Sequence, residues 1–238
     1  MAAKLSLQQV PNSSPEEIEY QHYHWKRFEF AFNLIQKINP KNALEIGPYV
    51  IAHNVVKLGI KIDTVGYCSE KIDRNGDHKI FDLDQIGRHP ELIQTGDYDL
   101  VIACEVIEHL HLDLDLIYFQ LNKLTKTGGI VLIQTPNAVP LKKRVAMLFG
   151  KNPFEMIRPE YRPGYGGHVR EFTMSELNDY AKRNGFEVVE KYCENYFDYS
   201  HSRKAKLYFM ASKLFPASWK DGIMLVLRKV SDPTISGS

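Results

Sequence analysis

The stretch CEVIEHL, residues 104–110, places Glu105, Glu108 and His109 within five positions, directly behind the apolar run YDLVIA. On one helical turn the i, i+3, i+4 spacing brings all three to a single face. Two carboxylates and an imidazole so close together are costly unless they are solvated, paired or used chemically. An imidazole that titrates near neutrality suits His109 as general base for a hydroxyl nucleophile. Alternatively, Glu105, Glu108 and His109, joined by His168 of GGHVREF, make an oxygen and nitrogen site for Mg²⁺, Mn²⁺ or another divalent ion that lowers the pKa of a bound hydroxyl. The plainer reading is a histidine that caps a short helix.

Such a cluster needs elements to hold it. EEIEYQHYHWKRFEFAFNLIQKI has helical apolar spacing and ends at Asn39-Pro40. Short apolar runs then alternate with amphipathic ones: NALEI, HNVVKLG, IDTVGY, KIFDL, YDLVIAC, LDLIYFQLNKL and GGIVLIQT. That alternation predicts a doubly wound α/β domain around a mostly parallel sheet. Thr173 and Glu176 form a capping box, Gly185 closes that helix, and FEVVEKY, SRKAKLYFMASKLF and GIMLVLRK supply a strand, a helix and a last strand. The expected organisation is an N-terminal helical cap over residues 1–40, a main domain over 41–230 and a disordered tail over 231–238. Residues 138–170, rich in Pro, Gly and basic side chains, interrupt the main domain as a lid.

In an open α/β sheet, ligands bind outside the carboxyl ends of the strands. Gly47 and Tyr49, Glu70, Asp82, Glu105, and Thr135 to Asn137 all fall at such ends. Within residues 138–167, Lys142, Lys143, Arg144, Lys151, Arg158 and Arg162 face only Glu155 and Glu160, an excess that would attract an anionic or phosphorylated acceptor. VAMLF, with its basic flank, is too short to anchor in a membrane.

The totals set outer limits. With 238 residues, 44% hydrophobic and 25% charged, the chain suits one domain with a substantial core. Thirty Lys and Arg against 29 Asp and Glu give no global pull toward nucleic acid or membrane. Cys68, Cys104 and Cys193 lack CxxC spacing and suggest reduced thiols. The N-terminus has no secretory pattern and no stretch of about 18 apolar residues occurs, so a cytoplasmic location without a membrane span is expected.

The ordered series ALEIGP, VGYCSE, FDLD, YDLVIACEVIEHL, LTKTGGIVLIQTPN and GHVREFTMSELNDYAKRNGFEVVE, from about residue 42 to 194, resembles the motifs of class I S-adenosylmethionine-dependent methyltransferases, especially the bacterial small-molecule type. The resemblance implies a Rossmann-like sheet of seven strands with the cofactor across the ends of the first, second and fourth. It implies S-adenosylmethionine held by Glu45, Gly47, Tyr49, Glu70, Asp82 and Glu105, with Asp82 toward the adenine amino group. The family pattern E-x-G-x-G-x-G reads EIGPYVI here, so Tyr49 and Ile51 must turn away or shape the pocket. The ribose-gripping acid aligns with Cys68, and Glu70 is its substitute. A nicotinamide-binding domain would need G-x-G-x-x-G and an acid ending the second strand, and neither is present.

The E-x-x-E-H stretch with a later histidine is similar to the metal site of small-RNA 2′-O-methyltransferases, and ubiquinone-type O-methyltransferases share E-x-x-E-H. The expected activity is O-methylation of a small metabolite or saccharide, anionic or not, with or without metal assistance. His109, Glu105 and His168 would be catalytic, and Asn137, Arg170 and Tyr165 would bind the acceptor. An RNA 2′-O-methyltransferase is the rival enzyme; a degenerate cofactor-binding or scaffold protein is the rival of another class.

Overall fold

Strand β4 (Tyr98–Cys104) alternates its side chains between two cores: Leu100 and Ile102 join one, Val101 and Ala103 the other. A strand apolar on both faces belongs inside a sheet covered on both sides. The computed structural model, which describes residues 6–66, 75–154, 167–196 and 203–233, shows that arrangement. One sheet runs in the order β3-β2-β1-β4-β5-β7-β6, with β1 (Asn42–Ile46), β2 (Lys61–Val65), β3 (His78–Lys79), β5 (Thr125–Pro136), β6 (Phe186–Glu194) and β7 (Gly222–Lys229). Every pairing is parallel except those of β7, which runs antiparallel to β5 and β6. The expected doubly wound, mostly parallel sheet of seven strands is therefore present.

Helices α1 (Pro15–Ile38) and α2 (Val50–Val55) pack on one face; α3 (Leu114–Leu124) and α5 (Met174–Arg183) pack on the other. Two further helices, α4 (Leu141–Leu148) and α6 (Arg203–Ser212), follow β5 and precede β7. A reciprocal capping box between Ser14 and Glu17 starts α1, with Pro15 behind it, and Asn39 in the left-handed region (φ 51°) ends it where Asn-Pro predicted. Thr173 and Glu176 form the expected box at α5.

The strand order reverses between β1, which leads outward to β2, and β4, which leads the other way to β5. Loops leaving those two strands diverge and open a crevice at their carboxyl ends. One expected element is shorter than its pattern. Of KIFDL only Lys79 pairs, beside His78, because Asp82 accepts a hydrogen bond from the amide of Asp84 and starts a 3₁₀ turn over Leu83–Gly87. That local bond competes with the strand ladder.

Candidate active site

Two glycines shape the crevice floor. Gly47, behind β1, has φ +67°, and a Cβ there would lie 2.9 Å from Val106 Cγ2. Gly66, behind β2, has φ +140°, and its Cβ would come within 3.4 Å of the Gly47 amide nitrogen. Gly47 demands glycine for conformation and for space, Gly66 for conformation. The loops behind β1, β2 and β4 thus meet closely, and Gly66 is a contributor the sequence reading missed. Beside them lies a narrow apolar recess of about 10 Å³, lined by Ile46, Leu83, Ile86, Ala103, Val106 and Ile107 among others.

The side chains standing where family glycines would be are turned out of the crevice. Tyr49 accepts a hydrogen bond from Gln21 Nε2 at 3.1 Å, and its ring meets Tyr20 and Phe28 of α1 edge-on, at 5.9 and 6.2 Å between centroids. Ile51 is buried in the core under α1. Glu45 is buried and accepts from the amide of Ala52 at 2.7 Å, so it ties the start of α2 to β1. Burial pushes its carboxyl up to about 8. Glu45 and Tyr49 therefore support the loop from behind, a correction to their expected cofactor contacts. Asp82 is half-buried at the rim. Glu70 and Tyr165 lie outside the described residues.

Glu105 departs from the expected shared face. Its backbone adopts φ +55°, so the chain turns there before a 3₁₀ turn over Ile107–His109 begins. The carboxylate instead meets Arg27 of α1 at 2.7 Å and accepts from Gln134 Nε2 at 2.9 Å. Arg27 is buried and also donates to Tyr20 Oη at 2.8 Å. Burial raises the Glu105 carboxyl and the Arg27 charge opposes that rise. Nothing in the sequence distinguished Arg27 from the solvated cations of α1, since its partner lies 78 positions away.

Glu108, His109 and His168 do converge: one ligand-capable atom from each lies within 4.8 Å of the others, and Glu105 is outside the group. Amides of Val169 and Arg170 donate to the Glu108 carbonyl at 2.8 and 3.2 Å, docking the returning segment onto the turn behind β4. The two imidazoles then lie 5.1 Å apart, tilted by 71°. His109 Nδ1 is 3.0 Å from the carbonyl of Gly167, and His168 Nδ1 is 3.1 Å from Glu171 Oε1. Both partners accept, so both Nδ1 atoms carry the proton and each Nε2 carries a lone pair in the neutral ring.

Glu108 is buried, with Oε2 accepting from Thr135 Oγ1 at 2.9 Å. Its Oε1 has no hydrogen-bond partner among the described residues and faces His109 Nε2 at 3.9 Å. Burial, reinforced by the charge of Glu105, holds the Glu108 carboxyl well above the ordinary range. Outer partners of this kind, a carbonyl, a carboxylate and a hydroxyl, are those that orient metal-binding side chains. Glu171, held in turn by Lys143, is a supporting member that the sequence analysis did not single out.

Two expected acceptor residues are engaged elsewhere. Asn137 is buried, and its amide donates to the carbonyls of Ser218 and Lys220 at 3.0 and 2.8 Å while accepting from Val139 N at 3.1 Å. It fastens the approach to β7 and has no donor left for a ligand. Arg170 pairs with Glu176 at 2.7 Å on the exposed start of α5, neither with a carboxylate of the cluster nor in the crevice.

Residues 19–191 match a family described as a methyltransferase domain. The chain is a member of that family. No curated protein matches the chain at the sequence level. Solved methyltransferases share the fold at low identity. The Burkholderia thailandensis 1,6-didemethyltoxoflavin N1-methyltransferase, with 1,6-didemethyltoxoflavin and S-adenosylhomocysteine bound, aligns at TM-score 0.55 and 13% identity over 95% of each chain. A Streptomyces coelicolor geranyl diphosphate C-methyltransferase in complex with Mg²⁺, geranyl diphosphate and S-adenosylhomocysteine aligns at 0.54 and 11%, over 94% of this chain and 89% of that one. The methyltransferase bound to the Haloferax volcanii Trm112 activator aligns at 0.60 and 11%, over 92% and 93%.

The methyltransferase domain's own residues fit the donor that this family uses. The absence of a side chain at Gly47, the apolar side chains beside it and the outward turn of Tyr49 leave the backbone of this sheet edge open to a bound donor. No helix among the described residues is long and apolar enough to cross a membrane.

Proposed function

We propose that this methyltransferase domain transfers a methyl group from S-adenosylmethionine to an oxygen of a small polar acceptor, a metabolite or saccharide, with a divalent ion at Glu108, His109 and His168. The observation that carries this reading is the orphaned, buried Oε1 of Glu108, which shares a 4.8 Å cluster with two histidine ligand atoms. Ligand atoms around one ion with bonds of about 2.1 Å sit roughly 3–4 Å apart, so a small side-chain rotation closes the cluster. Two imidazoles and one carboxylate suit Mn²⁺ or Zn²⁺ better than Mg²⁺.

Bound donor supplies an already activated methyl carbon, so the protein has to align the acceptor and dispose of its proton. Gly47 and Gly66 let the backbone approach the donor, and Asp82 and Glu70 bind its amino group and ribose. His109 is held by Gly167 so that its Nε2 lone pair points toward Glu108, where it would ligate a bound ion; with no ion bound, that lone pair can take a hydroxyl proton. An ion at the cluster would supply Lewis acidity to the same hydroxyl. Residues 1–40 act as the cap, 41–230 as the catalytic domain and 138–170 as the lid, with Tyr165 on the acceptor. The unpaired Cys104 and Cys193 suit a reducing, cytoplasmic setting.

The deciding experiment follows labelled methyl transfer to a panel of glycans, phosphorylated metabolites and RNA, with and without chelator, beside calorimetry of donor binding. Turnover of a small acceptor, lost on chelation and restored by Mn²⁺, is the expected result. Turnover indifferent to chelator leaves His109 as a metal-free base. Preference for RNA establishes the 2′-O-methyltransferase, and lack of donor binding overturns the enzyme reading.

A further inference from the structure

Near-neutral as a whole, the chain has two segments of one sign. Residues 139–154 contain four Lys or Arg, residues 203–220 contain five, and neither contains Asp or Glu. These segments hold α4 and α6. They also carry eight of the fourteen large apolar side chains exposed among the described residues. On α4, Val145, Leu148 and Phe149 share a face at i, i+3, i+4, and Leu148 is 80% exposed. On α6, Leu207 and Met210 are exposed at i, i+3, and Leu214, in the turn just past the helix, is 90% exposed. Isolated exposed apolar residues need no explanation, but two such stripes do.

The two helices are neighbours. Asn137, three residues before Pro140 caps α4, holds the carbonyls of Ser218 and Lys220 behind α6. Lys142 of α4 pairs with Asp221 at the entry to β7, and its charge acts on Tyr208 of α6. Exposed cations flank both stripes: Arg144 and Lys151 beside the first, Lys204, Lys206 and Lys213 beside the second.

We infer that α4 and α6 form a docking surface for an anionic lipid bilayer. Amphipathic helices with Lys and Arg beside Leu, Met and Phe lie in the plane of a membrane, the apolar tips entering the acyl boundary and the cations meeting lipid phosphates. Lys142, Lys143 and Lys220 pair with Asp221, Glu171 and Glu194; Arg144, Lys151, Arg203, Lys204, Lys206 and Lys213 supply the positive charge that such a surface requires. RNA shares the charge preference, but aliphatic tips do not stack on bases, so the exposed leucines and methionines select the bilayer. The surface abuts the acceptor side of the crevice, because Lys143 of α4 binds Glu171, which holds His168. Docking would therefore bring the methyl-accepting side to the lipid surface.

Vesicle sedimentation with the full chain tests this without reading activity. The chain is expected to pellet with phosphatidylcholine vesicles containing roughly 30 mol% phosphatidylglycerol, to remain soluble with pure phosphatidylcholine, and to be released by raised salt. The double variant L148E/L214E lowers partitioning by about tenfold or more while its melting temperature stays that of the parent, since both side chains are exposed. If that variant melts early, K204E/K206E, a change in charge alone, carries the test and is expected to erase the preference for anionic vesicles. Failure to pellet with anionic vesicles, partitioning unchanged in both variants, or retention on single-stranded RNA in preference to vesicles overturns the proposal.

Discussion

The guanidinium of Arg27 meets the carboxylate of Glu105 at 2.7 Å, both largely withdrawn from water. That contact joins the first helix to the loop behind β4 and keeps Glu105 out of the histidine cluster. Removing one member of a buried pair strands the other, at a typical cost of about 3–5 kcal/mol, whereas replacing both by apolar residues of similar volume is often close to neutral. Arg27→Met is therefore expected to lower unfolding stability by about that amount, and Arg27→Met with Glu105→Met to recover most of it. Urea unfolding of the four proteins in this cycle measures both; additive losses would show that the two side chains do not act as a pair.

Gly47 combines a positive φ with a 2.9 Å approach to Val106. Alanine at this position carries both a backbone strain of about 1–2 kcal/mol and a steric clash. Gly47→Ala is expected to weaken S-adenosylmethionine binding by at least about tenfold, with Val106→Ala restoring the steric share but not the conformational one. Calorimetry of the single and double variants separates them, and unaltered affinity in the single variant would place the donor elsewhere.

Supporting groups should matter nearly as much as the ligands. Glu171→Gln weakens the partner of His168, and Thr135→Val removes the donor to Glu108. Each is expected to lower Mn²⁺ affinity by about 10–100-fold, the usual effect of losing an outer partner. Titration with Mn²⁺ alone, followed by spin resonance, provides the readout. Equal affinity in the parent and both variants would remove the metal from the proposed function.

Glu45 supplies a pH dependence. Its carboxyl is raised from 4.5 to about 8 in the folded chain, so the fold favours the protonated form. The stability this contributes is fully present below about 4.5 and is withdrawn as pH rises through about 8. Glu45→Gln cannot ionise, so the difference in melting temperature between variant and parent is expected to move in favour of the variant between pH 5 and pH 8. A constant difference across that range would mean that Glu45 ionises normally in the folded chain.

Local chemistry was legible along the chain: Thr173 with Glu176 caps the helix whose start it marks, and Asn39 ends α1. Repetition of strand and helix patterns was enough for the doubly wound, mostly parallel sheet, because period-2 and period-3.6 burial are properties of consecutive residues; the count of seven strands was what the family resemblance implied. Asp82 misled for the same local reason, its side chain closing a turn where the apolar pattern continued a strand. Residue type named Glu108, His109 and His168 together, but with Glu105 among them, and could not tell which carboxylate would stay.

What the sequence determined by itself was therefore the order of elements and the kinds of groups delivered to one sheet edge. Which of those groups share a site was decided only in three dimensions. A positive φ at Glu105 and a buried cation on α1 withdrew one carboxylate, while backbone bonds from residues 169 and 170 to Glu108 delivered the second histidine. The same distinction sent Asn137 to two carbonyls and Arg170 to Glu176. Side-chain partnership depends on distances between residues remote in the chain, and neither spacing nor residue type encodes those distances until the chain has packed.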